Sequence, residues 1–165
     1  MASLILTVLG PDRPGLVRAL SEAVAARGGS WLESRMARLA GQFAGIVMVE
    51  APETLIADLH ALESEGLRIS VQSGAAGLVA SGERLTLEVV GHDRPGIVRD
   101  VAQVLAGCGV NIEELTTGVD SGSFSGEAMF RAQAQVRAPH AEAVEAMRSG
   151  LEALGNELMV DIKPA

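Results

Sequence analysis

Aromatic residues make up only 2% of this 165-residue chain, with no tyrosine, one tryptophan and three phenylalanines. Any core must therefore be aliphatic, and at 48% hydrophobic residues there is enough of it to exclude a disordered chain. One cysteine, Cys108, excludes an intramolecular disulfide and any metal site built on cysteine pairs. The three histidines, His60, His92 and His140, are far apart in sequence. A single lysine, Lys163, and a net charge of −8 leave no basic cluster. Duplex binding rests on neutralising phosphates with lysine and arginine, so no direct nucleic-acid binding is expected. No apolar run approaches the roughly 20 residues of a membrane helix, so no membrane span is expected. The apolar opening Met1–Leu9 lacks a basic region before it and meets Asp12 and Arg13 too soon for a signal peptide. The expected location is the cytoplasm.

What the chain does have is a repeat. Shifted by 81 residues, Leu4–Glu50 lies over Leu85–Arg131 without a gap, with 17 identities in 47 positions. LILTVLGPDRPGLVRAL faces LTLEVVGHDRPGIVRDV, and Gly41–Gly45 faces Gly122–Gly126. Duplication at this length dictates the architecture. In each copy an alternating strand (Leu4, Leu6, Val8) runs into Asp-Arg-Pro-Gly. A helical stripe follows (Leu16, Leu20, Val24) and stops at Gly28-Gly29. Pro14 suits the first turn of that helix. A second strand, 30–39, turns through Ala40-Gly41-Gln42 into a third, 43–51. Pro52 opens a helix carrying Leu55, Leu59 and Leu62, and Leu67, Ile69 and Val71 form a last strand.

The second copy repeats the order. Ile97, Val101 and Leu105 lie on its first helix, Pro139 starts its second, and Leu158, Val160 and Ile162 close it. The expected fold class is α+β: two βαββαβ units, each an antiparallel sheet with two helices on one face. The first unit spans 1–74, a small-residue, glycine-rich linker 75–82, and the second unit 83–165.

The strand ending Gly91-His92-Asp93-Arg94-Pro95-Gly96-Ile97-Val98, with Gly109-Val110-Asn111-Ile112 closing the following helix, resembles the ACT domain, here present twice. Tandem ACT domains with nothing else attached resemble the glycine cleavage system transcriptional repressor family. Glu33–Leu39 with Phe43-Ala44-Gly45, Glu114–Thr117, and Ser125–Phe130 before Pro139 match it further. The resemblance implies a ferredoxin-like fold and amino-acid sensing at sheet or domain interfaces. It also implies action through a separate DNA-binding protein.

The candidate ligand-binding residues are Asp93, Arg94, Gly96 and Asn111, with Asp12, Arg13, Gly15 and Ser30 as their counterparts. A carboxylate could sit on the unpaired amides at the helix start, where Gly15 and Gly96 permit close approach and Asp12 or Asp93 could accept an ammonium. Equally, the aspartates could cap the helices and the prolines start them. Asn111 could bond a ligand's polar groups or its own loop. Its counterpart is Ser30, so the first copy is expected to bind differently or not at all. His92 reads as a surface loop residue and Ser121–Gly126 as a hairpin turn. Cys108 reads as a half-buried helix end with no histidine nearby to make a nucleophile pair.

No acid, base or nucleophile cluster remains to make an enzyme, and neither a cofactor nor a metal is expected. The leading expectation is a non-catalytic, homo-oligomeric regulator that senses a small amino acid, with glycine the candidate, and modulates a DNA-binding regulator of glycine cleavage. The rivals are a purely structural or dimerising ACT pair and the regulatory subunit of a metabolic enzyme.

Overall fold

The computed structural model describes residues 1–75, 79–121, 126–155 and 158–165. The chain divides into two units, Met1–Leu78 and Val79–Ala165. The middle of the expected linker (76–78) and most of the expected turn Ser121–Gly126 (122–125) lie outside the described residues.

In the first unit the order is β1 (Ala2–Pro11), α1 (Leu16–Ala26), β2 (Ser30–Leu39), β3 (Gln42–Ala51), α2 (Leu55–Ala61), a 3-10 turn (Leu62–Glu65) and β4 (Arg68–Ser73). The second has β5 (Glu83–His92), α3 (Ile97–Gly107), β6 (Asn111–Ser121), β7 (Ala128–Ala138), α4 (Ala141–Glu152) and β8 (Met159–Pro164). The sheets run β2-β3-β1-β4 and β6-β7-β5-β8, antiparallel throughout.

The alternation in β1 sends Leu4, Leu6 and Val8 beneath the helices, where they meet Leu16, Leu20, Val24, Leu55 and Leu59. In the second unit Leu85, Leu87 and Val89 meet Ile97, Leu105, Met147 and Leu151 in the same way. Truncating one of these fully buried leucines to alanine costs about 2–5 kcal/mol. Helices α1 and α3 end alike. The amides of Gly28 and Gly29 donate to Ala25 and Val24, and those of Gly109 and Val110 to Ala106 and Leu105. These crossed bonds satisfy the last carbonyls of each helix and turn the chain into the next strand.

Two sequence expectations need correction. The prolines do not start helices. Pro14 and Pro95 precede a glycine in the left-handed region, Gly15 (φ 90°) or Gly96 (φ 80°), and the helix begins after it. Helix α2 begins at Leu55, three residues past Pro52, and α4 at Ala141, with His140 Nδ1 accepting the Ala143 amide at 3.2 Å.

The gapless repeat also fails beyond the second strand. Ser30 pairs with Glu50 and Asn111 with Arg137, so β3 and β7 correspond with an offset of 87, not 81. Phe43 is thus equivalent to Phe130, Val49 to Val136 and Ala51 to Ala138. In the first unit Ala40 (φ 49°) and Gly41 (φ 80°) form a two-residue hairpin turn of mirror-image type. The second hairpin is six residues longer. An even insertion preserves which side chains face the helices, so the sequence pattern alone does not reveal it.

Candidate functional site

Both Asp-Arg-Pro-Gly loops connect the end of a central strand to the N-terminus of a helix. Each glycine needs positive φ, so its presence has a backbone reason before any ligand is considered. A Cβ on Gly15 would meet nothing within 4 Å, and one on Gly96 would come 3.0 Å from Arg99 Nη2. Neither aspartate caps its helix. The residue before each helix is the glycine, and no side chain bonds the first amides. In the second unit the Ile97 amide donates to the Arg94 carbonyl at 3.3 Å, which leaves the Val98 and Arg99 amides of that helix start for an anion.

The same four residues are held differently in the two units. In the first, Arg38 Nε donates to Asp12 Oδ2 at 2.8 Å, and Arg13 Nη2 donates to the Glu65 carbonyl at 3.0 Å and its carboxylate at 3.1 Å. The loop is thereby tied to β2 on one side and to the end of the 3-10 turn on the other. In the second unit Val119 stands where Arg38 stands, each pairing with the equivalent phenylalanine, Phe130 or Phe43. Asp93 is exposed and its carboxylate makes no hydrogen bond among the described residues. Arg94 turns back on its own helix instead, donating to Asp100 at 2.7 Å. Ala19 holds that position in the first unit, so the alternative partner is absent there.

Arg94, followed by Arg99 at 3.1 Å, holds the Asp100 carboxyl below the usual carboxylate range through hydrogen bonds. The Arg94 Nε is shielded from solvent and has no hydrogen-bond partner. Beside this loop lies an open cavity of about 300 Å³, lined by Asp93, Arg94, Gly96 and Arg99 from the loop and helix and by Thr117–Val119 from β6, with Phe130 beneath. That is the lower end of the range for small-molecule sites. Its walls present a free carboxylate, two guanidinium groups, helix-start amides and an apolar floor. Together these suit a small zwitterion.

Asn111 is not part of this arrangement. It opens β6, seven residues before Gly118, and at about 3.3 Å per residue the two lie about 23 Å apart. Ser30 stands equally far along β2 from the Asp12 loop. Within one unit, the structure brings together Asp93, Arg94 and Gly96 (or Asp12, Arg13 and Gly15) and leaves Asn111 or Ser30 at the far end of the sheet. His92 Nδ1 lies 3.0 Å from a carboxylate oxygen of Glu127.

Sequence reasoning missed Asp100, Arg99, Thr117 and Val119. The signal was there in the repeat, as two departures from a matched background: Ala19 against Asp100, and Arg38 against Val119. Among the described residues no group of three or more His, Cys, Asp or Glu could hold a metal ion, and no helix is long and apolar enough to cross a membrane.

The ACT domain matches twice, at residues 2–74 and 83–164. The chain belongs to the ACT domain family. An unknown protein from Galdieria sulphuraria is 31% identical, with 99% of this chain and 98% of that one covered at a TM-score of 0.84. A protein assigned as a glycine cleavage system transcriptional repressor shares the tandem ACT fold at 17% identity and a TM-score of 0.71, covering 99% and 98% of the two chains. No curated protein matches. Membership of the ACT domain family supports a ligand-sensing, regulatory role for the pair.

Proposed function

We propose that this ACT pair is a non-catalytic sensor whose second unit binds a small amino acid, with glycine the first candidate, in the cavity beside Asp93–Gly96. The supporting observation is the difference between the loops. Ion pairs to β2 and the 3-10 turn occupy Asp12 and Arg13, whereas Asp93 is free beside an amino-acid-sized cavity. In this reading the ligand carboxylate meets the helix-start amides, with Arg94 and Arg99 beside it, and the ammonium meets Asp93. Asn111 contributes nothing to this cavity from within its own unit. Units 1–74 and 83–165, joined through 75–82, then report occupancy to a protein partner, a DNA-binding regulator of glycine cleavage. The acidic chain acts through that partner and not on DNA itself.

The test is a thermal-shift and titration-calorimetry screen of the twenty common amino acids, repeated with Asp93→Asn. A small amino acid should stabilise the wild type, and the variant should lose most of that effect. Absence of any stabilisation, or equal stabilisation of the variant, would refute the site.

A further inference from the structure

Each sheet buries one face under its helices and leaves the other open, and the two open faces have opposite chemistry. In the second unit, cross-strand neighbours satisfy one another. Gln135 Nε2 donates to Thr86 Oγ1 at 3.0 Å, and Arg131 pairs with Glu88 at 2.8 Å. Gln133 lies between them on β7. In the first unit the equivalents of Thr86, Gln135, Gln133 and Arg131 are apolar, and Thr7 stands in place of Glu88. Ile5 pairs with Met48 where Thr86 pairs with Gln135, and Ile46, 56% exposed, replaces Gln133. Leu9 and Leu39 extend the exposed apolar surface, and Ile5, Ile46 and Met48 line a groove of about 240 Å³ with Glu33–Arg35 as its rim. Two sister faces with the same backbone thus differ as a solvated surface differs from one meant to be covered.

We infer that the open face of the β2-β3-β1-β4 sheet is the surface on which a second copy of this chain docks, face to face. Two features favour a second copy over a different partner. The first is charge. In a chain of net charge −8, this face carries two acids, Glu33 and Glu50, and two bases, Arg35 and Arg68. A balanced face can meet itself across a two-fold axis without repulsion, whereas a partner of one sign gains nothing from it. The second is size. Three strands of 10 residues and one of six, about 4.8 Å apart and rising about 3.3 Å per residue, offer roughly 570 Å² per copy. About 1,140 Å² in all clears the roughly 1,000 Å² that a biological protein–protein interface needs. This inference stands independently of the ligand reading.

The experiment is sedimentation equilibrium on the full chain, with Ile46→Glu, Thr7→Lys and the matched control Gln133→Glu. The wild type should run at twice its 17.1 kDa mass. Ile46→Glu and Thr7→Lys should each raise the dimer dissociation constant at least 30-fold, because two like charges are buried across the axis. Circular dichroism establishes that each variant is folded, and two substitutions on different strands guard against the loss of either one. Gln133→Glu should remain dimeric. A monomeric wild type at 100-fold dilutions from about 1 mM, dimeric folded variants, or equal dissociation by Gln133→Glu would overturn the assignment.

Discussion

Val119→Arg should close the proposed site by restoring to the second unit the clamp that the first already has. Val119 occupies the position of Arg38, is 55% exposed, and lies on the cavity wall across from Asp93. An arginine there can reach Asp93 as Arg38 reaches Asp12, at 2.8 Å in the first unit. An exposed ion pair of this kind contributes about 0.2–1 kcal/mol, so the fold should be unchanged or slightly more stable. Ligand binding should respond far more. A charge-assisted hydrogen bond from an ammonium to Asp93 is worth about 1.5–3 kcal/mol. At 1.4 kcal/mol per tenfold, losing it to the new arginine weakens binding about 10- to 150-fold. The assay is titration calorimetry with whichever amino acid stabilises the wild type, with a melt of the unliganded protein as control. An unligated melting temperature at or above that of the wild type, together with the weaker affinity, is the expected result. If Val119→Arg binds the amino acid as tightly as the wild type, Asp93 does not hold the ammonium and the reasoning from the two loops fails.

Gly96→Ala should lower stability by about 1 kcal/mol, because φ is 80° and the added methyl meets Arg99 Nη2, while Gly15→Ala should cost the same backbone strain without the contact; chemical denaturation of both compares them. Asp100 titrates below the usual range when folded, so the unfolded state binds more protons as pH falls. Its contribution is full above the ordinary carboxylate pKa and is lost as pH drops through the lowered folded value. Asp100→Asn should therefore flatten the acid limb of the urea midpoint against pH, and an unchanged limb would contradict the Arg94–Asp100 pair. The isolated protein should show no affinity for duplex DNA at physiological salt in a fluorescence-anisotropy titration, and specific micromolar binding would exclude action through a partner.

The duplication, the element order and the core are legible in the residues alone. Leucine and valine spacing at period two or 3.6 is a local property, and Leu6, Leu20, Leu87 and Leu105 sit where that spacing put them. Both Asp-Arg-Pro-Gly loops are legible as well, because turn chemistry is local too. How each loop is held is set by residues distant in sequence. Whether Asp12 finds Arg38, or Arg94 finds Asp100 in place of a distant glutamate, depends on which side chains two other elements bring alongside. The separation of Asn111 from Gly96, by contrast, was legible, because the 11-residue helix between them spans about 16 Å. Strand register was hidden: six extra residues in a hairpin leave the inward and outward alternation untouched, and only pairing across the strands shows where Phe130 belongs.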